Sequence, residues 1–110
     1  MMRIHDAVTA LYNRANDHMT PAELDEVATT MLDQAESAAR NLSSVAEGIG
    51  CLVSNDGMQD APFGSFQDSD SVSKLLWSIS QQADMIAALV WVGSEARLTA
   101  RSKEAAVTTG

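Results

Sequence analysis

Residues 85–92 read MIAALVWV, eight consecutive apolar side chains in a chain whose formal net charge is -8. Asp84 precedes the run and Gly93-Ser94-Glu95 follows it, so it is far shorter than the ~20 residues that a bilayer-spanning helix needs. In a domain that folds in water, this run predicts a helix that is apolar around its whole circumference and must be covered on every side. The fold is therefore decided by what covers it.

The composition is that of one folded domain without a membrane span. The chain has 110 residues, of which 45% are hydrophobic and 20% are charged. Its one cysteine, Cys51, cannot close an intramolecular disulfide, and it forms no zinc motif with His5 or His18. The first 17 residues lack the apolar block of a secretory signal. We therefore expect a cytoplasmic protein that is stabilised by packing and needs no metal or cofactor.

The charge is concentrated in the middle of the chain. Ten acidic residues and one basic residue, Arg40, lie between Pro21 and Asp70. Binding to nucleic acid depends largely on cationic side chains that displace counterions, so an acidic middle opposes direct contact with DNA or RNA. It favours a basic protein partner instead, although a solvated helix face would have the same composition.

Hydrophobic spacing predicts an all-α fold with helices over residues 4–17, 21–48 and 70–101. Thr20, Pro21 and Glu23 form a helix-start signal, and Gly48 offers a place for the second helix to stop. We expect a long loop over residues 49–69, with a tight turn at 55–57, and a flexible tail over residues 102–110. The expected architecture is a three-helix arrangement, dominated by two long antiparallel helices, in a dimeric helical bundle.

Apolar stripes indicate which faces of the first two helices are buried. On the first helix, the stripe consists of Ile4, Val8, Leu11 and Ala15. On the second helix, an alanine-rich seam with an average period of 3.5 residues consists of Leu24, Ala28, Met31, Ala35, Ala38, Leu42, Val45 and Ile49. Small residues on such a seam predict close packing against another long helix.

The third helix has two apolar faces. The predicted core face consists of Val72, Leu76, Ile79, Ala83, Ile86 and Val90. Trp77, Met85, Ala88 and Val92 fall roughly opposite, with Trp91 on the flank. Because a small core cannot readily cover both faces, we assign this second face to self-association in a symmetric dimer. Cover from the first helix, or from Phe63 and Phe66 in the loop, is the open alternative.

Motifs for catalysis and metal binding are missing from the sequence. Neither histidine follows a glutamate by three residues, as bundle di-iron sites require, and the acids near Asp56 lack the order of a calcium loop. There is no nucleophile elbow and no glycine-rich phosphate loop. We therefore do not expect an enzyme.

The leading hypothesis is a non-enzymatic module that docks on a basic partner protein and occludes it. The residues assigned to partner binding are Glu23, Glu26, Asp33, Glu36, Asp56, Asp60, Phe63 and Phe66. In type, the profile is similar to small helical inhibitors carried by phages and mobile elements, including anti-CRISPR proteins, although no motif carries that likeness. The alternative is a dimeric structural adaptor or chaperone-like assembly subunit.

Overall fold

The computed structural model describes residues 2–57 and 69–109, and three helices account for nearly all of them. Helix α1 spans Ile4–Ala15 and is followed by a 3-10 turn at Asn16–His18. Helix α2 spans Pro21–Gly57, and helix α3 spans Ser69–Thr109. The described residues contain no strand, so the predicted all-α fold with three helices is confirmed.

The start of α2 forms the predicted capping box. The hydroxyl of Thr20 accepts a hydrogen bond from the backbone N–H of Glu23 at 3.1 Å, and the Glu23 carboxylate accepts one from the backbone N–H of Thr20 at 3.1 Å. The backbone hydrogen bond from Thr20, together with the contact to its side chain, lowers the pKa of Glu23 below its ordinary value. These local partners explain why the helix begins where the sequence predicts.

The predicted ends of the two long helices are wrong. Helix α2 continues through Gly48 to Gly57, so the stop at residue 48 and the tight turn at residues 55–57 do not form. Gly48 and Gly50 both lack a positive φ, and a helix tolerates an internal glycine at a cost of about 1 kcal/mol. Helix α3 continues past Arg101 to Thr109, so the tail is helical up to that residue.

The core lies where α3 packs against α2 and α1. Its buried members are Tyr12, Leu24, Ala28, Val92, Ala96 and Ala100. A Cβ atom added to Gly93 would stand 2.7 Å from Cγ of Leu32 and 3.3 Å from the carbonyl oxygen of Ala28. The two long helices therefore approach too closely at this point for any larger residue to fit without movement.

Burial confirms the predicted seam of α2 over most of its length. Leu24, Ala28 and Ala35 are buried, and the partly buried members are Met31, Ala38, Leu42 and Ile49. Val45 is exposed. The alanine-rich stripe thus packs against a long helix, as its spacing predicts.

Helix α1 lies on α3 through Tyr12 together with Val8, the one member of the predicted stripe that packs against the core. Tyr12 is buried, whereas the predicted Leu11 is 70% exposed. The Thr99 hydroxyl donates to the carbonyl of Glu95, so the Tyr12 hydroxyl is the donor in its 2.9 Å bond to Thr99. The Lys103 ammonium donates to two backbone carbonyls at the end of α1, those of Asn16 at 2.7 Å and Met19 at 2.6 Å. The bond to Thr99 favours Tyr12 over the neighbouring leucine on this face, because leucine has no hydroxyl.

The chain is long and thin. Its principal extents are 74 × 27 × 13 Å, and the shortest is close to the width of one helix. The radius of gyration is 20.0 Å, whereas a compact chain of similar length has about 13 Å. Most domains enclose a core between two packed layers of secondary structure, whereas these dimensions leave room for only one layer of helices.

Candidate interaction surfaces

Helix α3 has the two predicted apolar faces, but part of the predicted outer face points inward. Ala88 is 1% exposed and Val92 is 3% exposed, and Val92 belongs to the core cluster with Leu24 and Ala28. Both side chains are covered by the chain's own helices. Their assignment to a self-association interface is therefore wrong, because the small residues that allow close packing lie on this face.

Part of the predicted core face points outward instead. Leu76 is 59% exposed, Val90 is 43% exposed, and Ala83 is also exposed. Val72, Ile79 and Ile86 are partly buried at the edges. We call the exposed stripe the α3 outer face, and its members are Leu76, Ser80, Ala83, Ala87, Val90 and Ser94.

The two tryptophans have different environments. Trp91 is partly buried, and its ring meets those of Tyr12 and His5 edge to face, with centroids 5.7 and 6.3 Å apart. Its predicted place on a self-association face is thus taken by α1 of the same chain. Trp77 is 63% exposed. Helix α1 is tied to α3 where the His5 backbone N–H donates to Asp84 at 3.2 Å, about two helical turns beyond Trp77 along α3.

Met85, the remaining residue of the predicted interface, is exposed beside a shallow surface depression. The depression has a volume of about 390 Å³ and includes Ile4, Ala38 and Gln81 in its lining. Another, of about 510 Å³, lies beside the start of α1 and includes Arg3 and Asp84. Each is formed by side chains from the edges of separate helices. Both depressions are open to solvent.

Three of the predicted partner-binding acids share the solvent-facing side of α2. Glu26, Asp33 and Glu36 are all exposed within about 15 Å along the axis, and helical spacing places Glu26 and Asp33 opposite the buried seam and Glu36 on its flank. Arg40 lies on the same side, and its guanidinium donates to the Glu36 carboxylate at 2.7 Å. Glu23 belongs instead to the capping box at the helix start.

Of the other four residues assigned to partner binding, only one is among the described residues. Asp56 lies in the last turn of α2. Asp60, Phe63 and Phe66 lie outside the described residues, so neither their binding role nor the cover that the phenylalanines could supply is tested.

An ion pair that sequence reasoning missed fastens α2 to α3. One guanidinium nitrogen of Arg97 lies 3.5 Å from the Asp25 carboxylate, and the other donates to the Thr29 hydroxyl at 3.3 Å. Asp25 therefore has an intramolecular partner on α3. Because these partners are far apart in sequence, no local pattern indicates the pair.

Two further observations concern metal binding and membrane spanning. Among the described residues, no three His, Cys, Asp or Glu side chains are grouped closely enough to hold a metal ion. One helix, over residues 70–107, is long and apolar enough to cross a membrane by length and composition alone, a criterion that core helices of water-soluble proteins also meet.

No protein-family model matches the chain, and comparison with curated proteins and with solved structures finds no match.

Proposed function

We propose that this chain is a non-enzymatic, cytoplasmic protein-binding module whose acidic α2 face docks on a partner protein with a basic surface and occludes it. The supporting observation is the exposed row of Glu26, Asp33 and Glu36 on one side of a long helix. A helix held by packing along its opposite side presents these charges in a fixed order. A fixed charge pattern accelerates encounter with a complementary surface and opposes encounter with wrong ones.

The arrangement also separates binding from folding. The seam that holds α2 on α3 is apolar, whereas the proposed binding face carries charges that contribute little to stability. Arg40 pairs with Glu36 on the surface, and a basic partner would compete with it for that carboxylate. The three acids can therefore be changed without unfolding the chain.

Charge neutralisation on α2 tests this proposal. The purified protein captures partners from a lysate, and each captured protein is then purified and its binding measured at several salt concentrations. We expect the triple variant Glu26→Gln, Asp33→Asn, Glu36→Gln to lower the association rate roughly tenfold or more, and to flatten the dependence on salt.

The control has the same change in net charge at other places. It is the variant Asp6→Asn, Asp17→Asn, Glu104→Gln, whose residues lie away from the α2 face. Equal binding by the two triple variants, or binding that is indifferent to salt in the unmodified protein, would refute the acidic docking face.

A second candidate function, a dimeric structural adaptor or chaperone-like assembly subunit, is favoured by the apolar α3 outer face. In this proposal the two long helices run antiparallel, an arrangement supported by the contacts of Arg97 with Asp25 and of Gly93 with Leu32. Dimers would then bury the uncovered side of each layer. Binding of a client protein through apolar contacts, unchanged by salt, would favour this candidate over the first.

A further inference from the structure

We propose that the α3 outer face binds the same face of a second copy of this chain, and that this contact supplies the second layer that the protomer lacks. This interface specifies how the adaptor candidate would dimerise, but it does not depend on binding to a basic partner. It also differs from the predicted self-association face, whose residues Ala88 and Val92 are buried within the protomer.

The spacing of the α3 outer face is that of a helix-packing seam. Its six members, from Leu76 to Ser94, follow one another at intervals of four and three residues, which keeps them on one side of the helix for about 27 Å. Leu76 and Val90 are large, and the residues between them are serine and alanine. Large side chains on one copy can thus fit against small ones on the other when the seams pack across a two-fold axis.

No charged residue is among the six members of this face. At 100° per residue, Lys74, Asp84 and Glu95 lie at least about 80° from its centre. Beyond Ser94, Arg101 falls on the same side of the helix and Arg97 lies about 60° from the centre, where it contacts Asp25 and Thr29. Two chains of net charge -8 repel each other overall, but the acids of α2 lie on the neighbouring helix. Exposed charges separated by more than about 8 Å are largely screened at physiological salt, so repulsion does not oppose contact along this face.

The chain exposes more surface than a compact monomer of its mass. The chain exposes 7758 Å², whereas a compact monomer of 11.7 kDa exposes about 5,900 Å². A specific interface of standard size hides about 800 Å² on each partner. The excess, roughly 1,900 Å² over the whole chain, is larger than the area that one such contact hides.

The charge of the chain favours a second copy over a lipid surface. Helices that lie on membranes carry a basic polar face that is attracted to anionic headgroups. Here the neighbouring helix α2 presents Glu26, Asp33 and Glu36, which anionic headgroups repel. Crossing a bilayer would require α3 to separate from α1 and α2 and to lose the core that it forms with them.

The test is the particle mass in solution, measured by light scattering with sedimentation equilibrium for affinity. The unmodified chain should have twice its 11.7 kDa mass. The variant Ala83→Glu, Val90→Glu should be monomeric, with an association at least about a hundredfold weaker, because like charges would meet across the seam. Both residues are exposed in the protomer, so its helical circular dichroism should persist.

A control variant places the same two added charges on other exposed positions. The double variant Leu11→Glu on α1, Ala39→Glu on α2 should keep the doubled mass. A monomeric unmodified chain, or a doubled mass in the Ala83→Glu, Val90→Glu variant, would overturn the proposal.

Crosslinking locates the contact independently of mass. In a Cys51→Ser background, single cysteines are introduced at Ser80, Ala83, Ala87 and Val90, and at Ala39 as a control. At least one seam cysteine should form a disulfide between copies under mild oxidation, and Ala39→Cys should not. Uptake of the unmodified chain by phosphatidylcholine vesicles, with no crosslink at any seam position, would identify a lipid surface instead and refute the dimer.

Discussion

The close approach of α2 to α3 predicts that one substitution, glycine to alanine, has opposite effects at two positions. At Gly48 an added Cβ meets nothing within 4 Å, so alanine should stabilise the helix by about 0.5–1 kcal/mol through its better helix propensity. At Gly93 the added Cβ would stand 2.7 Å from Cγ of Leu32. Ordinary carbon contacts lie at about 3.5–4.0 Å, so side chain or helix must move by close to 1 Å.

The magnitude at Gly93 follows from two opposing effects. Overpacking of a tight core costs about 1–3 kcal/mol, and the helix-propensity gain offsets close to 1 kcal/mol of it. We therefore expect Gly93→Ala to lower the free energy of unfolding by about 1 kcal/mol. The corresponding loss in Tm is about 4–8 °C for a domain near this size. The Gly48→Ala variant should shift Tm in the opposite direction.

Urea and thermal unfolding, followed by circular dichroism at one fixed protein concentration, measure both variants. The concentration is fixed because association would make the apparent stability depend on it. Truncation of the Leu32 side chain provides the internal control. In a Leu32→Ala background, Gly93→Ala should become neutral or stabilising. The gain is limited because the added Cβ would still lie 3.3 Å from the carbonyl oxygen of Ala28. If Gly93→Ala stabilises the unmodified chain as much as Gly48→Ala does, the close helix approach is refuted.

Four further measurements test the polar contacts of the fold. Tyr12→Phe removes the hydrogen bond to Thr99 and should cost about 1 kcal/mol in urea unfolding; no loss would mean that water replaces it. Thr20→Ala removes the α2 cap and should cost about 1 kcal/mol, with loss of helical signal as the second readout. The folded state lowers the pKa of Glu23, so its carboxylate contributes to the free energy of unfolding above the ordinary glutamate range, and this contribution is lost as pH falls through the folded pKa. In the Glu23→Gln variant, the free energy of unfolding should therefore fall less steeply at acid pH. An unchanged fall at acid pH would contradict this. Lys103→Met keeps the apolar stem but loses both carbonyl contacts at the end of α1, so a cost of about 1–2 kcal/mol is expected, and a neutral effect would mean that the contacts are unimportant.

Features that depend on neighbours in sequence could be predicted. The capping box of α2 needs only residues 20–23, and it forms with both predicted hydrogen bonds. The seam of α2 is similarly local, because helical spacing alone places Leu24, Ala28 and Ala35 on one side. The exposure of Glu26, Asp33 and Glu36 follows from the same spacing, since the opposite side of the helix is apolar.

Features that depend on distant residues could not be predicted. The predicted end of α2 was wrong because an internal glycine lowers helix propensity by only about 1 kcal/mol and does not by itself stop a helix, which here continues to Gly57. The α1 stripe was wrong at Leu11 because Tyr12 gains a hydroxyl partner and an aromatic contact on α3, neither of which is visible in the local pattern. Leu11 is more apolar, but it has no such partners.

The inner and outer faces of α3 illustrate a physical limit on what hydrophobic periodicity can predict. Periodicity measures how apolar each side of a helix is, and it finds two apolar sides here. The side that packs closely is decided by size, because helix axes separated by 8–10 Å leave little room between backbones. Ala88, Ala96 and Gly93 meet that requirement, and they score as less hydrophobic than Leu76 and Val90 on the opposite side. A prediction that prefers the larger side chains therefore places the wrong side of α3 in the core. In the structure, Leu76 and Val90 lie outside, where a looser contact can accommodate them. The outer side also has the small residues Ser80, Ala83 and Ala87, so the deciding difference is Gly93, where the two long helices come closest, and the side that contains it is the better candidate for the core.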